Sequence, residues 1–289
     1  LPDVYSDAIG RLSDDIRLLA EEIRLRAGQF LSIAHQGGEE ELFTHLRPVT
    51  AHDLTLTMEN ATKGSLHSAI ESIQRGFVTI EGGHRLAICG RALLKDGVLS
   101  HVRDISSVCI RIAREKKGVA RSVLPKLIEG GRIQGTLILS PPGVGKTTLL
   151  RDIIRMLSCG EAVAPHRVSV ADERGELAGC LGGIPQMDVG PRTDVWSGMP
   201  KSEAAVMMLR GCSPQVLALD EITAPQDAAA AQMSFGCGAA VLATAHARCV
   251  EDLRRRPLYR SLPGIFTRAA VISLENGKRK YGVSNFEGG

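Results

Sequence analysis

The chain has 289 residues, 44% of them hydrophobic and 23% charged, with a formal net charge of +3. That is apolar material for two ordinary globular cores, and the weak charge selects no nucleic-acid partner. Seven cysteines, at 89, 109, 159, 180, 212, 237 and 249, contain no Cys-x2-Cys pair, which disfavours a zinc site or a disulfide framework and fits reduced thiols in a cytoplasmic protein.

In chain order, the opening LPDVYSDAIGRLSDDIR lacks a basic start followed by an apolar core, so no signal peptide is expected. EEIRLRAGQFLSIA alternates Ile23 and Leu25 with Arg24 and Arg26, breaks at Ala-Gly-Gln and resumes at Phe30, which predicts strand, turn and strand. Residues 51–61 and 65–75 read as two helices, the second with Leu66, Ile70 and Ile73 on one face. Gly82-Gly83 and Asp96-Gly97 interrupt short apolar runs as hairpin turns do. The first third is therefore a mixed α/β domain, an antiparallel sheet carrying helices.

The charged stretch REKKGVAR at 114–121 marks a boundary, giving a first domain at 1–117 and a second at 118–289. Beyond it a helix is expected at 121–129. Strand-and-helix units follow at 136–140, 146–157, 167–171, 202–210, 216–219, 226–235 and 239–244. Short Val-, Leu- and Ile-rich strands alternating with helices predict a parallel sheet covered on both faces. The most apolar stretch, 228–250, carries Gln232, His246 and Arg248 and is a poor membrane span, so no direct membrane insertion is expected.

The chemistry concentrates at LILSPPGVGKTTLL, 137–150. A strand, a loop and a helix enclose Ser140, Pro141, Pro142, Gly143, Val144, Gly145, Lys146, Thr147 and Thr148, close to the Gly-x4-Gly-Lys-[Ser/Thr] loop that cradles phosphate. Backbone N–H groups and the helix N-terminus attract phosphate oxygens, Lys146 neutralises the terminal phosphates and Thr147 offers its hydroxyl to Mg²⁺. Ser140 stands where the pattern has its first glycine; its side chain can point away from the phosphates.

PQVLALDEI, 214–222, ends an apolar strand in Asp220 and Glu221, the first placed to hold metal and the second to activate water. RVSVADERGELAG adds Asp172 as a further metal candidate, with Glu173 and Glu176 as acidic catalytic candidates, at another strand end. AAVLATAHA carries His246 after a third strand, either as a satisfied core histidine or as a phosphate sensor. Arg210 precedes the Asp220 strand and is a candidate for phosphate or for a neighbouring subunit. The basic clusters at 111–117, 254–256 and 278–280 read as solvated surface.

The ordered set of phosphate loop, DERGE, LR-x3-P-x-V-x3-DE and AT-A-H-A resembles the secretion-ATPase superfamily of RecA-like P-loop motors. EEIRLRAGQ, GFVTIEGGHRLAICGRA and SVCIRIARE extend the likeness to the stage III sporulation protein AA family of endospore-forming bacteria. The resemblance implies an α/β fold, a RecA-like P-loop ATPase domain with a largely parallel sheet after a smaller mixed α/β N-terminal domain. It implies ATP and Mg²⁺ as cofactors and a homo-oligomer, a hexamer, energising a channel between mother cell and forespore. That motor would be cytoplasmic, peripheral at the outer forespore membrane on the mother-cell side, and would work with membrane proteins of a secretion-like complex. In related motors arginines of the N-terminal domain close over nucleotide, which makes Arg111 and Arg114, with Arg85, candidates for nucleotide binding. Gln215 stands where such motors commonly carry Asp. A helicase sharing the core would want a basic channel with stacking aromatics, and the chain has six Phe, three Tyr and one Trp. An ATP-binding scaffold with little turnover stays open because of Ser140.

Overall fold

The computed structural model describes residues 1–35, 37–41, 43–62, 73–74, 76–262 and 264–286, with the backbone alone at 260 and 261. It forms two compact units: Leu1–Arg114 with Leu181–Gln186, and Glu115–Cys180 with Met187–Gly289.

In the first unit α1 (Asp3–Gly10) and α2 (Asp14–Leu19) lead into β1 (Glu22–Arg26), β2 (Ser32–His35) and β3 (Gly38–Glu40). After α3 (Ala51–Thr62) come β4 (Val78–Thr79), β5 (Arg85–Lys95) and β6 (Val98–Arg111). The six strands run in the order β3-β2-β1-β6-β5-β4, each neighbour antiparallel. The alternation read at 22–26 is real: Leu25 is buried, while Arg24 pairs with Glu22 at 2.6 Å and Arg26 with Glu39. A capping box starts α3. Thr50 Oγ1 accepts the Asp53 N–H at 3.2 Å, and the Asp53 carboxylate accepts the Thr50 N–H at 2.8 Å. The helix then buries Leu54 and Met58 with Leu86, Val108 and Ile110. The β5–β6 hairpin turns at Asp96 (φ 53°) and Gly97 (φ 78°), the left-handed pair a two-residue turn needs. Most of the helix expected at 65–75 lies outside the described residues.

The second unit departs at once from expectation. Residues 121–129 are not an α-helix: a 3-10 turn at Leu124–Leu127 runs into a hairpin of β7 (Ile128–Glu129) and β8 (Arg132–Ile133). Pro125 supplies no N–H, and Gly130 and Gly131 (φ 56° and 76°) close the turn. The remaining units follow the reading closely, apart from a strand at Thr193–Ser197 that the reading did not include. They are β9 (Thr136–Ser140), α4 (Lys146–Cys159), β10 (Val168–Asp172), β11 (Thr193–Ser197), α5 (Lys201–Gly211), β12 (Val216–Leu219), α6 (Pro225–Gly236) and β13 (Ala240–His246). A short α7 (Val250–Arg254) and a hairpin of β14 (Arg268–Glu275) and β15 (Lys278–Asn285) complete the chain.

The sheet order is β11-β10-β12-β13-β9-β14-β15, parallel up to β14, with β15 antiparallel on the outer edge. Strand periodicity divides its core in two. Leu137, Leu139, Leu217, Leu219, Val241 and Ala243 face α5 and α6. Their neighbours Ile138, Val216, Ala218 and Leu242 face α4 with Ile153, Ile154 and Leu157. Because these strands are parallel, the ends of β9, β10, β12 and β13 all lie on one edge of the sheet. Among the described residues no helix is long and apolar enough to cross a membrane.

Candidate functional site

That edge carries the phosphate-loop residues. Pro141, Pro142 and Gly143 are exposed, Val144 is buried, and Thr147 and Thr148 are half-buried in the first turn of α4. Gly143 (φ 74°) and Gly145 (φ 116°) hold the loop in left-handed backbone. A Cβ on Gly143 would meet nothing within 4 Å, and no side chain caps α4, so the N–H groups of its first turn remain open to an anion. Ser140 is fully buried and its hydroxyl donates to the Pro141 carbonyl at 2.8 Å. The serine side chain is thus bonded to the backbone of its own loop.

Lys146 is buried and donates to the carbonyls of Ser140 and Pro141 at 3.3 and 3.4 Å and to His246 Nδ1 at 2.8 Å. An ammonium only donates, so Nδ1 accepts and the imidazole proton sits on Nε2. Nε2 faces Glu221 Oε1 at 3.1 Å. Lysine, histidine and glutamate thus form one line of close polar contacts across the ends of β9, β13 and β12. Burial holds the Lys146 pKa below the usual lysine range, against the upward pull of Glu221, Asp220 and Glu176. Thr244 on β13 braces the pair beside it: its hydroxyl donates to Asp220 Oδ1 at 3.1 Å and accepts the Glu221 N–H at 3.0 Å.

Asp220 is half-buried, and burial first, then the Glu176 and Asp172 charges, push its pKa up to about 6. A carboxylate at such an edge has unmet demand for a cation. Asp172 does not. Its carboxylate is buried and accepts four backbone N–H groups, from Glu176, Leu177, Ala178 and Gly179, at 2.8 to 3.4 Å. Where a metal role was expected, both oxygens are occupied in folding the DERGE loop back on its strand. Arg151 of α4 holds the same loop through the carbonyls of Glu176 and Leu177. Glu173 turns instead to Lys201, which bridges it at 3.1 Å and Asp227 at 3.5 Å. Asp227 in turn caps α6 by accepting the N–H groups of Thr223 and Ala224.

Of the arginine candidates, Arg210 belongs to the second unit, and Arg111 and Arg114, with Arg85, to the first. Arg210 is exposed in the last turn of α5, which leads into the start of β12, so it lies at the sheet edge opposite Asp220. Arg114 donates to the carbonyls of Leu18, Arg17 and Ala20, closing the C-terminus of α2; that guanidinium is already engaged. Arg111 is exposed at the end of β6, in register with Glu22 and Arg85, and the Arg85 guanidinium lies 4.4 Å from the Phe77 ring centroid. Gln215 accepts the Arg167 N–H at 3.0 Å ahead of β12, away from the acidic end of that strand.

Sequence reasoning passed over Lys201 and Arg279. Arg279 of β15 donates from Nε to the Val144 carbonyl at 2.6 Å, against the phosphate loop. Strand alternation carries the signal, because Tyr281 and Val283 pack in the same cluster as Val144 and put Arg279 on that face.

The residues present fit a magnesium nucleotide. The loop offers open N–H groups and a lysine, and Asp220 and Thr147 offer hard oxygen donors. Among the described residues no three His, Cys, Asp or Glu could hold a metal by themselves, so nucleotide oxygens would complete the shell.

Solved structures share the fold. The ATPase DotB of Legionella pneumophila superposes with a TM-score of 0.66 at 15% identity, covering 99% of this chain and 81% of DotB. The pilus retraction motor PilT, determined with bound ADP, gives 0.66 at 16% identity, covering 98% and 81%. The C-terminal unit thus has the secretion-ATPase fold expected for it. In sequence, stage III sporulation protein AA of Bacillus subtilis is 37% identical over 269 residues, 91% of this chain and 84% of its own length. The family described as "Sporulation stage III, protein AA" matches residues 8–285, and the chain belongs to it.

Proposed function

We propose that this protein is an Mg²⁺-dependent ATPase of the secretion-motor type. In this reading the loop N–H groups and Lys146 hold the phosphates, Thr147 and Asp220 hold the metal, and Glu221 polarises the attacking water. Magnesium, when bound, supplies charge neutralisation at the terminal phosphate. Nucleotide entry would draw Lys146 off His246, whose Nδ1 would meet the terminal phosphate as a donor only on taking up a proton. Glu176 adds negative charge beside Asp220, while Asp172 and Glu173 shape the loop rather than touch the reacting atoms. One observation carries the reading: Lys146, His246 and Glu221, from three separated stretches of chain, meet in one line, with Lys146 to His246 at 2.8 Å and His246 to Glu221 at 3.1 Å.

The assembly is a homo-oligomer, a hexamer, in which Arg111 or Arg210 of one protomer meets the nucleotide of its neighbour. Membership of a stage III sporulation family supports work on a channel between mother cell and forespore, with membrane proteins as partners, at the outer forespore membrane. The domain division falls in the charged stretch at 114–121.

Turnover measured against protein concentration tests this. Hydrolysis rises more than linearly with concentration in the native chain and vanishes in Lys146→Ala and Glu221→Gln, the latter still binding ATP. Full turnover in Glu221→Gln removes that residue as the base. Stimulation by single-stranded DNA at low salt favours a nucleic-acid motor instead.

A further inference from the structure

The last hairpin reaches the phosphate loop from the side opposite the carboxylates. β9 lies between β13, which carries His246, and β14, whose partner β15 carries Arg279. Arg279 is exposed, yet its Nε donates to the Val144 carbonyl at 2.6 Å. Its terminal nitrogens make no hydrogen bond among the described residues. The Val144–Gly145 peptide is trans and planar, so its C=O and N–H point in opposite directions. A guanidinium holding that carbonyl therefore fixes the opposite direction for the Gly145 N–H. Gly145 is the residue whose φ of 116° lets the chain turn there, and a Cβ on it would stand 3.3 Å from Arg279 Nε. Two neighbouring constraints, the missing side chain and the charged donor, act on one peptide.

We propose that Arg279 is a positioning residue for nucleotide: by holding the Val144 carbonyl outward it keeps the Gly145 N–H directed at the bound phosphate and so sets the loop's affinity for nucleoside di- and triphosphates. The inference rests on the nucleotide-binding reading above. Lys278 and Lys280 take no part; Lys280 pairs with Glu275 across the hairpin. The residue acts through the backbone and touches no reacting atom. Because an inward N–H serves the ground and transition states alike, it affects KM more than kcat.

The test is calorimetric titration of Mg-ADP into the full chain and three variants: Arg279→Met, which keeps the stem and removes the donor, Arg279→Lys, which restores a charged donor, and Lys146→Ala. The native chain binds, Lys146→Ala does not, Arg279→Met binds about tenfold more weakly, as the loss of one charge-assisted hydrogen bond predicts, and Arg279→Lys recovers most of that. In ATP turnover, Arg279→Met raises KM by more than it lowers kcat. Arg279→Met binding as tightly as the native chain, with Lys146→Ala still silent, overturns the proposal and leaves the nucleotide site standing. So does a lysine variant as weak as the methionine one. Absence of binding by the native chain removes the nucleotide site, and the role of Arg279 with it.

Discussion

Asp172 and Asp220 end neighbouring strands, β10 and β12, on the same edge of one sheet, and the structure treats them in opposite ways. Asp172 is saturated by four backbone N–H groups. Asp220 has one backbone N–H, from Glu221, and one hydroxyl, from Thr244, with other carboxylates close by. A strand-end acid is thus assigned by its supply of donors, not by its place in the topology. Rich donation fixes a loop, and poor donation beside like charge leaves an appetite for a cation.

Substitutions can break this contrast. The largest effect is expected from Asp172→Ala, which orphans four buried N–H groups and should cost about 3 kcal/mol of folding stability or more. A urea midpoint equal to the native chain's shows that the loop does not depend on it. Asp220→Asn does the reverse: stability at neutral pH holds or rises, because a neutral amide replaces a carboxylate that burial disfavours, while Mg-dependent turnover falls about 100-fold. If the two variants behave alike in both assays, the contrast is wrong.

Acidity sharpens it further. Folding raises the Asp220 pKa from 3.8 to about 6, so the folded chain holds an extra proton between those values. The stability this contributes is present below 3.8 and lost as pH rises through about 6. A proton there also competes with metal, so Mg-ADP binding at pH 5 should be about tenfold weaker than at pH 7. Asp220→Asn should flatten that titration, as should EDTA. The smallest effect belongs to Glu176→Gln, which removes one like charge and should move the midpoint down toward the ordinary aspartate range. A midpoint that stays put places Glu176 too far away to matter.

Much of the C-terminal unit was legible because its signals are local. Buried strands are short apolar runs, and Gly143, Gly145 and Lys146 match the spacing of a phosphate loop. The helix expected at 121–129 failed because Pro125 and the Gly130-Gly131 pair outweigh a few apolar residues. The β14–β15 hairpin was passed over although Asn276-Gly277 is a strong turn signal, realised here at φ 51° and 73°. The fates of Arg114, Arg210 and Asp172 were not readable at all. Each depends on which backbone groups tertiary folding brings within reach, and the residue type is the same whether it meets a helix end, solvent or a ligand. Arg279 lay between two lysines in a run that reads as surface; only the period-two pattern with Tyr281 and Val283 tells it from them.

Those two lysines have a consequence of their own. β15 is eight residues long and closes the outer margin of a seven-stranded sheet, where backbone donors and acceptors invite a stranger's strand. Lys278 and Lys280 make docking there electrostatically and entropically unattractive. They act as gatekeepers, and a preparation in which both were made threonine would be expected to cloud on standing.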